Sequence, residues 1–331
     1  MKRKIYPLFI VTIFLMSCEK DIDFKGTISD PLLVLNATLT PDSIVSIQLT
    51  QSQFVLGEFK PFPTVRDADV TLFVNGEMKE KLIHQSDGIY MGEYSPVPKD
   101  EIKVEVIVDG YNRIFSQTVI PHKPIITVTD STVSTRTVVA NETVYRTLKL
   151  QLKLNDIFNE ENYYYIKGAR NYYWEDKLLL SLPISLDLSS VLKNNVIDED
   201  IFNEIIGNDL DKNRSANLFS DLLIDGENIL FDFHLSDIIG SITSVNGDEL
   251  DDDMSIEYII EIGEISVELY HYLISVNKAL VNEDMPFFEP FRVYTNIENG
   301  IGIFGSYNSY RLKTRFKTKF LPYDLYFSYS Y

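Results

Sequence analysis

The feature that most constrains the fold is a succession of short alternating segments separated by turns, between residues 31 and 121. Ile102 to Val108 alternates apolar and polar side chains, which is the period of a strand with one buried face. Asp69 to Val74 runs into Asn75-Gly76, a strong hairpin signal because both residues tolerate positive φ. About seven segments of this kind, with frequent turn signals, predict an immunoglobulin-like β-sandwich over residues 29–121.

A second domain is predicted beyond the prolines at 121 and 124, because two prolines favour an extended connection without ladder hydrogen bonds. Residues 122–331 read as a larger β-rich domain. Residues 175–225 lack a two-residue period, so we expect short helices and loops inserted there between strands. Further strands are expected at 125–129, 144–154, 163–169, 229–234 and 255–262, with two more around 301–304 and 310–316.

One amphipathic helix is predicted after residue 265. Ser266 is a suitable N-cap, because its hydroxyl can accept a hydrogen bond from a free N–H of the first turn. Leu269, Leu273, Val276 and Leu280 then recur at helical spacing on one face. The fold class expected from these patterns is mainly β, with this helix beside the sheets.

The N-terminus has the form of a lipoprotein signal peptide. Three basic residues precede twelve apolar ones, Ile5 to Met16, and Leu15-Met16-Ser17-Cys18 reads as a lipobox. Twelve residues are too few to span a bilayer, which needs about 20 in a helix. An ordinary secretory signal or an accidental cysteine are the alternatives. We therefore predict a signal peptide over 1–17, lipidation of Cys18, and a tether over 18–28.

The cysteine content and net charge of the chain limit the cross-links and the classes of ligand that it can have. Cys18 is the only cysteine, so with its thiol acylated we expect no disulfide, and the fold must be stabilised by packing alone. The formal net charge of −19 argues against nucleic acid and against anionic lipid headgroups as ligands. Membrane attachment is expected through the N-terminal lipid, since no second apolar stretch approaches spanning length.

Catalytic and metal-binding motifs are not predicted. The four histidines, His84, His122, His234 and His271, lack the spacing of a zinc site. No Gly-x-Ser-x-Gly elbow, phosphate-binding glycine loop or His-Glu-x-x-His motif occurs in the sequence. We therefore expect no enzyme activity, no metal and no cofactor.

Two acidic stretches resemble calcium loops without completing one. Asp209, Asp211 and Asn213 alternate as ligands would, but Arg214 replaces the required glycine and Ser220 the bidentate glutamate. The run from 248 to 253 holds five acidic residues after Asn246-Gly247. Solvated loops are the simpler interpretation of both stretches.

A longer pattern near the C-terminus resembles a known family. Pro286-Phe-Phe-Glu-Pro290 is followed by a run from Asn296 to Gly305 with the form Asn-Ile-x-Asn-Gly-x-Gly-x-Phe-Gly, after a tyrosine-rich helix. This arrangement resembles the Bacteroidetes outer-membrane lipoprotein family named domain of unknown function 4249. Further matches span the chain, among them 88–90, 161–164 and 219–221. The chain departs from the family in having Ala37 where a glycine is usual.

The resemblance implies an outer-membrane, cell-surface lipoprotein without known catalytic residues. Because members are commonly encoded beside TonB-dependent transporters, a binding or accessory role in nutrient uptake is the leading expectation, with such a β-barrel as the partner and the ligand unknown. A structural or adhesive surface protein is the alternative, and a hydrolase a further one. Gene neighbourhood would separate the first two.

Individual residues within these segments carry further expectations. Phe287, Phe288 and Phe291 lie in the proline-bounded loop, where they either contact a partner or fill the core. The glycines at 300, 302 and 305 suggest close backbone approach rather than a ligand site. Lys20-Asp21 with Asp23 resembles a surface-export signal, and Asp-Ser-Ile and Asp-Ser-Thr place candidate O-glycosylation sites at Ser43 and Ser131.

Overall fold

The computed structural model describes residues 30–54, 61–138, 143–184, 186, 188, 217–222, 226–241, 254–283 and 292–317. Within these ranges the chain is mainly β, as predicted, with fifteen strands and one helix. The first seven strands are β1 (Leu33–Leu39), β2 (Ser46–Gln51), β3 (Asp69–Val74), β4 (Glu77–His84), β5 (Ile89–Met91), β6 (Glu101–Ile107) and β7 (Ile114–Val119). The remaining elements are β8 (Ile125–Val138), β9 (Thr143–Asn155), β10 (Tyr163–Trp174), β11 (Lys177–Ile184), β12 (Asn217–Ser220), β13 (Asn228–Ser241), β14 (Met254–Ile265), α1 (Val267–Glu283) and β15 (Ile301–Lys317).

The N-terminal strands enclose one apolar core. Their order is β1-β2-β5-β4-β3-β6-β7, and every second residue of β1 and β6 is buried, as one-sided burial of a strand requires. Leu35, Leu72 and Val104 are among the fully buried residues of this core. Asn75 and Gly76 join β3 to β4 with φ of 52° and 83°, the two positive angles of the predicted hairpin turn.

The C-terminal strands form two sheets with a second core between them. One sheet is β13-β9-β8, and the other contains β11-β10-β14-β15, with β12 beside β10. Leu150 and Leu152 of β9 and Phe231 of β13 pack with Ile260 and Ile262 of β14. The interior side chains are mainly Leu and Ile with several Tyr and Phe, so dispersion and the burial of apolar area stabilise this core.

Strand β15 belongs to both parts of the molecule. Its first six residues pair in parallel with β1, from Val34 with Ile301 to Leu39 with Ser306. The remainder pairs antiparallel with β14, ending at Ser255 with Lys317. Phe304 is completely buried in the N-terminal core, beside Ile297. The two parts are therefore joined by a continuous strand of 17 residues, roughly 55 Å long at about 3.3 Å per residue.

The connection at residues 121–124 is fixed by the same strands. Asn308 Nδ2 donates to the carbonyl oxygen of Pro121 at 3.2 Å, and the backbone N–H of His122 donates to Glu264. The division of the chain at residue 121 remains a sequence prediction. The structure adds that β15, from the C-terminal part, supplies a strand and a core residue to the N-terminal part.

The helix begins as predicted. Leu269 N–H donates to Ser266 Oγ at 3.4 Å, and Leu269 and Tyr270 are buried against the outer face of the sheet with Tyr165 and Ile303. No helix in the described part of the chain is both long and apolar enough to cross a membrane.

Two local expectations are wrong. Residues 177–184 and 217–220, expected in helices and loops, are strands β11 and β12, because pairing with β10 overrides a weak local pattern. Residues 301–317 form one strand rather than two, since Gly305 and Ser306 continue the ladder where the partner changes from β1 to β14. Of the rest of the expected helical insertion, residues 185, 187, 189–216 and 223–225 lie outside the described residues.

Candidate functional site

The segment that enters β15 is built around glycines that allow close backbone contact. Gly302 has φ of +112°, and a Cβ atom there would lie 2.1 Å from the carbonyl oxygen of Leu35. A Cβ at Gly305 would lie 2.8 Å from the Cβ of Leu269 on α1. Distances under 3.0 Å leave no room for a side chain, so the expected packing role of this run is confirmed.

Asparagine side chains fix the same segment. Asn296 Nδ2 donates to the carbonyl oxygen of Phe304 at 2.8 Å, and Phe304 N–H donates to Asn296 Oδ1 at 3.0 Å. The Asn296 carbonyl oxygen accepts from Ser116 Oγ at 2.9 Å. Asn299 Nδ2 donates to the carbonyl oxygen of Arg113 at 3.1 Å. The family-like Asn-Gly pattern therefore holds residues 296–305 against the N-terminal part.

A cleft of about 560 Å³ lies between α1 and the chain just before this segment. Its described lining residues are His271, Ile274, Ser275, Lys278, Arg292, Val293, Tyr294 and Thr295. Tyr294 N–H donates to Ser275 Oγ at 2.8 Å, and Ser275 Oγ donates to the carbonyl oxygen of Tyr272 at 2.7 Å. Ser275 is buried, so its hydroxyl fixes one wall of the cleft to the other.

Aromatic rings form one side of this cleft. The centroids of His271 and Tyr294 are 5.6 Å apart, and those of Tyr270 and His271 are 5.8 Å apart. Tyr163 continues the group at 4.5 Å from Tyr270. Centroid separations in this range are those of favourable aromatic pairs. Two members of this cluster, His271 and Tyr294, line the cleft as an aromatic wall beside the aliphatic side chain of Ile274.

The ionisable groups of the cleft are mostly basic. Lys278 and Arg292 both line it, with His271 beside them, in a chain whose net charge is −19. Burial raises the pKa of Tyr294, and the nearby charge of Glu268 raises it further. Burial raises the pKa of Tyr270 to about 12, so both phenols stay neutral at physiological pH. The arrangement suits a small ligand with an apolar or aromatic body and an anionic group.

Buried carboxylates on the C-terminal strands include Glu261 and Glu264 of β14 and Asp237 of β13, and each has several partners. Glu261 accepts from Arg311 Nη2 at 2.7 Å, from Lys167 Nζ at 3.1 Å, and from the hydroxyl of Tyr165. Asp237 accepts from Arg170, Tyr172 and Tyr258. These groups are satisfied within the protein and are interpreted as structural.

Glu264 is the third of these carboxylates. Its pKa is raised to about 7, mainly by burial; a hydrogen bond from Asn162 opposes the shift, and the charges of Glu160 and Asp156 add to it. Asn162 Nδ2 donates to Glu264 Oε1 at 3.0 Å. Glu264 also accepts a hydrogen bond from the backbone N–H of His122, in the connection between the two parts.

Several predicted site residues lie outside the described part of the chain, namely Cys18, Phe287, Phe288, Phe291 and the two acidic stretches at 209–215 and 248–253. Ser43 lies in an exposed turn after Thr40, and Ser131 is exposed on β8, opposite Leu150 of β9. Their modification stays a prediction. Ser220, which stands where a calcium loop beginning at Asp209 would have its bidentate glutamate, lies at the end of β12.

The four histidines occupy unrelated positions. His84 contacts the ring of Tyr90, and His234 is exposed with Nε2 at 3.4 Å from Asp232 Oδ1. Only His271 of the four lines the cleft. In the described residues, no group of three or more His, Cys, Asp or Glu side chains is arranged to hold a metal ion.

Sequence reasoning missed the cleft and a basic row on β15. The lining residues come from two segments, 271–278 and 292–295, and no spacing rule relates them. The basic row was detectable, because Arg311, Lys313, Arg315 and Lys317 recur with the period of a strand.

Comparison with known proteins gives one match. The model of the family described as Domain of unknown function (DUF4249) matches residues 19–313. A search of curated proteins found no match. The matched region contains the cleft, the glycine run and all described strands except the last few residues of β15.

Proposed function

This chain belongs to the DUF4249 family, and we propose that it is an outer-membrane lipoprotein exposed at the cell surface. In this proposal it acts as a binding or accessory component of a TonB-dependent nutrient uptake system. The observation that carries the binding role is the cleft between α1 and residues 292–295, with its aromatic wall and its two cations. The lipobox ending at Cys18 supports the location, and the family match begins at the next residue.

The cleft supports capture of a small solute. Its volume of about 560 Å³ falls within the range of small-molecule sites, which are concave, largely apolar and have a few placed polar groups. Lys278 and Arg292 would attract an anionic group, while Ile274, Val293 and Tyr294 would cover the remainder of the ligand. The phenol of Tyr294 would stay protonated and available as a hydrogen-bond donor, since burial raises its pKa.

The loop that precedes Arg292 supplies the proposed contact with the transporter. Phe287, Phe288 and Phe291 lie between Pro286 and the cleft in sequence. Aromatic residues in a restrained loop bury much area for few lost rotamers, which is why interfaces favour them. Because this loop directly precedes Arg292 of the cleft in sequence, we propose that the partner receives the solute from the cleft.

Surface exposure also leaves Ser43 and Ser131 available for O-glycosylation in this proposal, since both are exposed. Mass spectrometry of the protein purified from its natural host tests this directly. A glycan mass that is present in the wild type and lost in the Ser43→Ala and Ser131→Ala variants is the expected result. Unmodified peptides covering both serines would refute it.

Affinity purification tests the accessory role. A tagged full-length chain, extracted from native membranes in mild detergent, should recover a large β-barrel transporter. Replacing Phe287, Phe288 and Phe291 with Ala should reduce that recovery. The matched control replaces Phe54, Phe62 and Phe158, which are exposed elsewhere, and should leave recovery unchanged. If the lipoprotein elutes alone and its deletion leaves nutrient uptake unaltered, the accessory role is wrong and the adhesive alternative replaces it.

The anchor is tested separately. Cys18→Ala should leave the protein unacylated, either soluble or as uncleaved precursor, because each buried acyl methylene contributes roughly 0.8 kcal/mol to membrane binding. Labelling with a palmitate analogue should disappear in the variant. Labelling that persists would show that Cys18 is not the lipidated residue.

A further inference from the structure

A row of basic side chains runs along the second half of β15. Arg311, Lys313, Arg315 and Lys317 are all exposed and alternate with the partly buried Leu312, Thr314 and Phe316. Alternate residues of a strand lie on one face, about 6.7 Å apart at about 3.3 Å per residue. The row is therefore roughly 20 Å long, in a chain whose formal net charge is −19.

The two arginines of the row are held in place by the neighbouring strands. Arg311 Nη2 lies 2.7 Å from Glu261 Oε2, and Glu261 is buried, with only 3% of its surface exposed. Arg315 Nε donates to Ser255 Oγ at 2.7 Å, and its guanidinium lies 4.3 Å from the ring centroid of Tyr173. Such fixed side chains lose little entropy when they bind a partner.

The anionic groups on this face do not neutralise the row. Glu261 also binds Lys167 at 3.1 Å, so two cations share one carboxylate. Glu257 accepts from the hydroxyl of Tyr173 at 3.0 Å, and Arg315 Nη2 lies 2.7 Å from Asp176 Oδ1. Lys313 and Lys317 have no ion pair within the described residues. Five cations, Lys167 and the four of the row, therefore face three carboxylates.

Among the described residues, the same stretch of β15 has an unpaired backbone edge. Beyond Ser306 the strand pairs with β14 on one side, and no described strand pairs with its other side. Asn308 binds Pro121 at the near end, and Arg146 Nη1 donates to the carbonyl oxygen of Lys317 at the far end. Residues 310–316 remain between these two contacts, which is enough for a short added strand.

We propose that this edge and its basic row bind an extended acidic segment of a partner protein by strand addition. Main-chain hydrogen bonds to residues 310–316 would provide affinity, and Asp or Glu at alternate positions would lie opposite the basic row. Apolar residues at the intervening positions would cover Leu312 and Phe316. An acidic polysaccharide would form ion pairs with the basic row but no strand ladder. A peptide would form both the ion pairs and the main-chain hydrogen bonds to the strand edge.

This inference is independent of the proposed transport role. The basic row lies at the end of β15 that is farther from β1, since β1 pairs only with residues 301–306. It is separate from the cleft at α1, with which it shares no residue.

The test uses the full chain and a fluorescent nine-residue peptide with Glu at alternate positions and Val or Thr between them. A second peptide has the same charges but Pro at the intervening positions, which removes the N–H of every second residue and fixes φ near −65°, so that the peptide cannot form a regular strand ladder. Dextran sulfate serves as the polyanion comparison. We expect the first peptide to bind with a salt-sensitive Kd and the proline peptide to bind at least about tenfold more weakly, since each lost main-chain hydrogen bond costs about 1 kcal/mol.

Charge reversal identifies the surface. Lys313→Glu with Lys317→Glu should weaken the first peptide about tenfold or more, and these lysines are chosen because neither arginine can be removed without exposing a partner such as Glu261. Lys79→Glu with Lys99→Glu makes the same charge change at exposed lysines of the N-terminal part and should change Kd less than about twofold. Unchanged melting temperatures show that both variants fold.

Three results would overturn the proposal. The first is no binding of the alternating peptide to the wild type. The second is equal affinity for the wild type and the Lys313→Glu, Lys317→Glu variant. The third is equal affinity for the alternating and proline peptides, together with tight dextran sulfate binding, which would identify a polyanion surface without strand addition.

Discussion

Asn296 and Phe304 bind each other through two hydrogen bonds, from Asn296 Nδ2 to the Phe304 carbonyl oxygen at 2.8 Å and from Phe304 N–H to Asn296 Oδ1 at 3.0 Å. The side-chain amide thus pairs with both main-chain groups of Phe304, as a neighbouring strand would. Phe304 is fully buried in the N-terminal core. One side chain outside any strand therefore sets the position of a core residue eight positions later.

Removing this amide should destabilise the protein. Asn296→Ala leaves the buried N–H and carbonyl groups of Phe304 without that partner, and we expect a loss of about 2–3 kcal/mol in the free energy of unfolding. Denaturant unfolding followed by tyrosine fluorescence measures it. Asn155→Ala, which removes exposed hydrogen bonds of 3.2 and 3.5 Å, should cost less than about 1 kcal/mol. Equal losses in the two variants would contradict the assigned role of Asn296.

Gly302 should tolerate no side chain. Gly302→Ala combines φ of +112° with a Cβ 2.1 Å from the Leu35 carbonyl oxygen, so the parallel pairing of β1 with β15 must shift. We expect a loss above about 3 kcal/mol or failure to fold. Gly110→Ala is the matched control, because its φ is +83° but a Cβ atom there would have no other atom within 4 Å. That variant should lose only about 1–2 kcal/mol, and similar melting temperatures for both would show that contact with Leu35 is unimportant.

Glu264 should make stability depend on pH. Its folded pKa is raised from the ordinary 4.5 to about 7, mainly by burial. The folded state holds the proton of Glu264 more tightly than the unfolded state does. The contribution of this proton to the free energy of unfolding is therefore complete below about pH 4.5 and is lost as the pH rises through 7. This pKa shift corresponds to a decrease of about 3 kcal/mol in the free energy of unfolding between those two pH values.

Glu264→Gln removes the titrating group while keeping a neutral side chain of the same shape. Its stability should fall less than that of the wild type between pH 5 and pH 8, as measured by thermal unfolding across that range. Glu257→Gln changes a carboxylate on the opposite face of the same strand and serves as the control. A wild-type pH profile that Glu264→Gln leaves unchanged would refute the assignment.

Phe304 should couple the two parts of the chain. Phe304→Ala creates a cavity in the N-terminal core, and we expect a loss of about 3–5 kcal/mol. Hydrogen exchange should show faster opening of β1 and β7 in this variant, although the substitution lies in the C-terminal part of the sequence. A fragment of residues 28–121, which the sequence predicts to fold alone, would lack Phe304 and Ile297. An isolated fragment as stable as the intact N-terminal part would show that β15 adds nothing to it.

Local chemistry in the sequence determined the type and position of most elements. The alternation of β1 and β6, the Asn75-Gly76 turn and the Ser266 cap each depend on residues close together in the chain. Such features are predictable because strand burial has a period of two, and because turns and caps need particular side chains at fixed offsets. The prediction for residues 177–184 was wrong, because their pairing with β10 outweighs their weak local pattern.

Tertiary structure alone decided how these elements meet. The parallel pairing of Val34 with Ile301 joins residues 267 positions apart, and no local pattern encodes a partner at that distance. The cleft forms because α1, which carries His271, lies beside residues 292–295. The pKa of Glu264 depends on its burial and on Asn162, Glu160 and His122, which are distant from it in sequence. Burial, close contact and electric field are properties of the assembled core, so the sequence specifies them only through the complete fold.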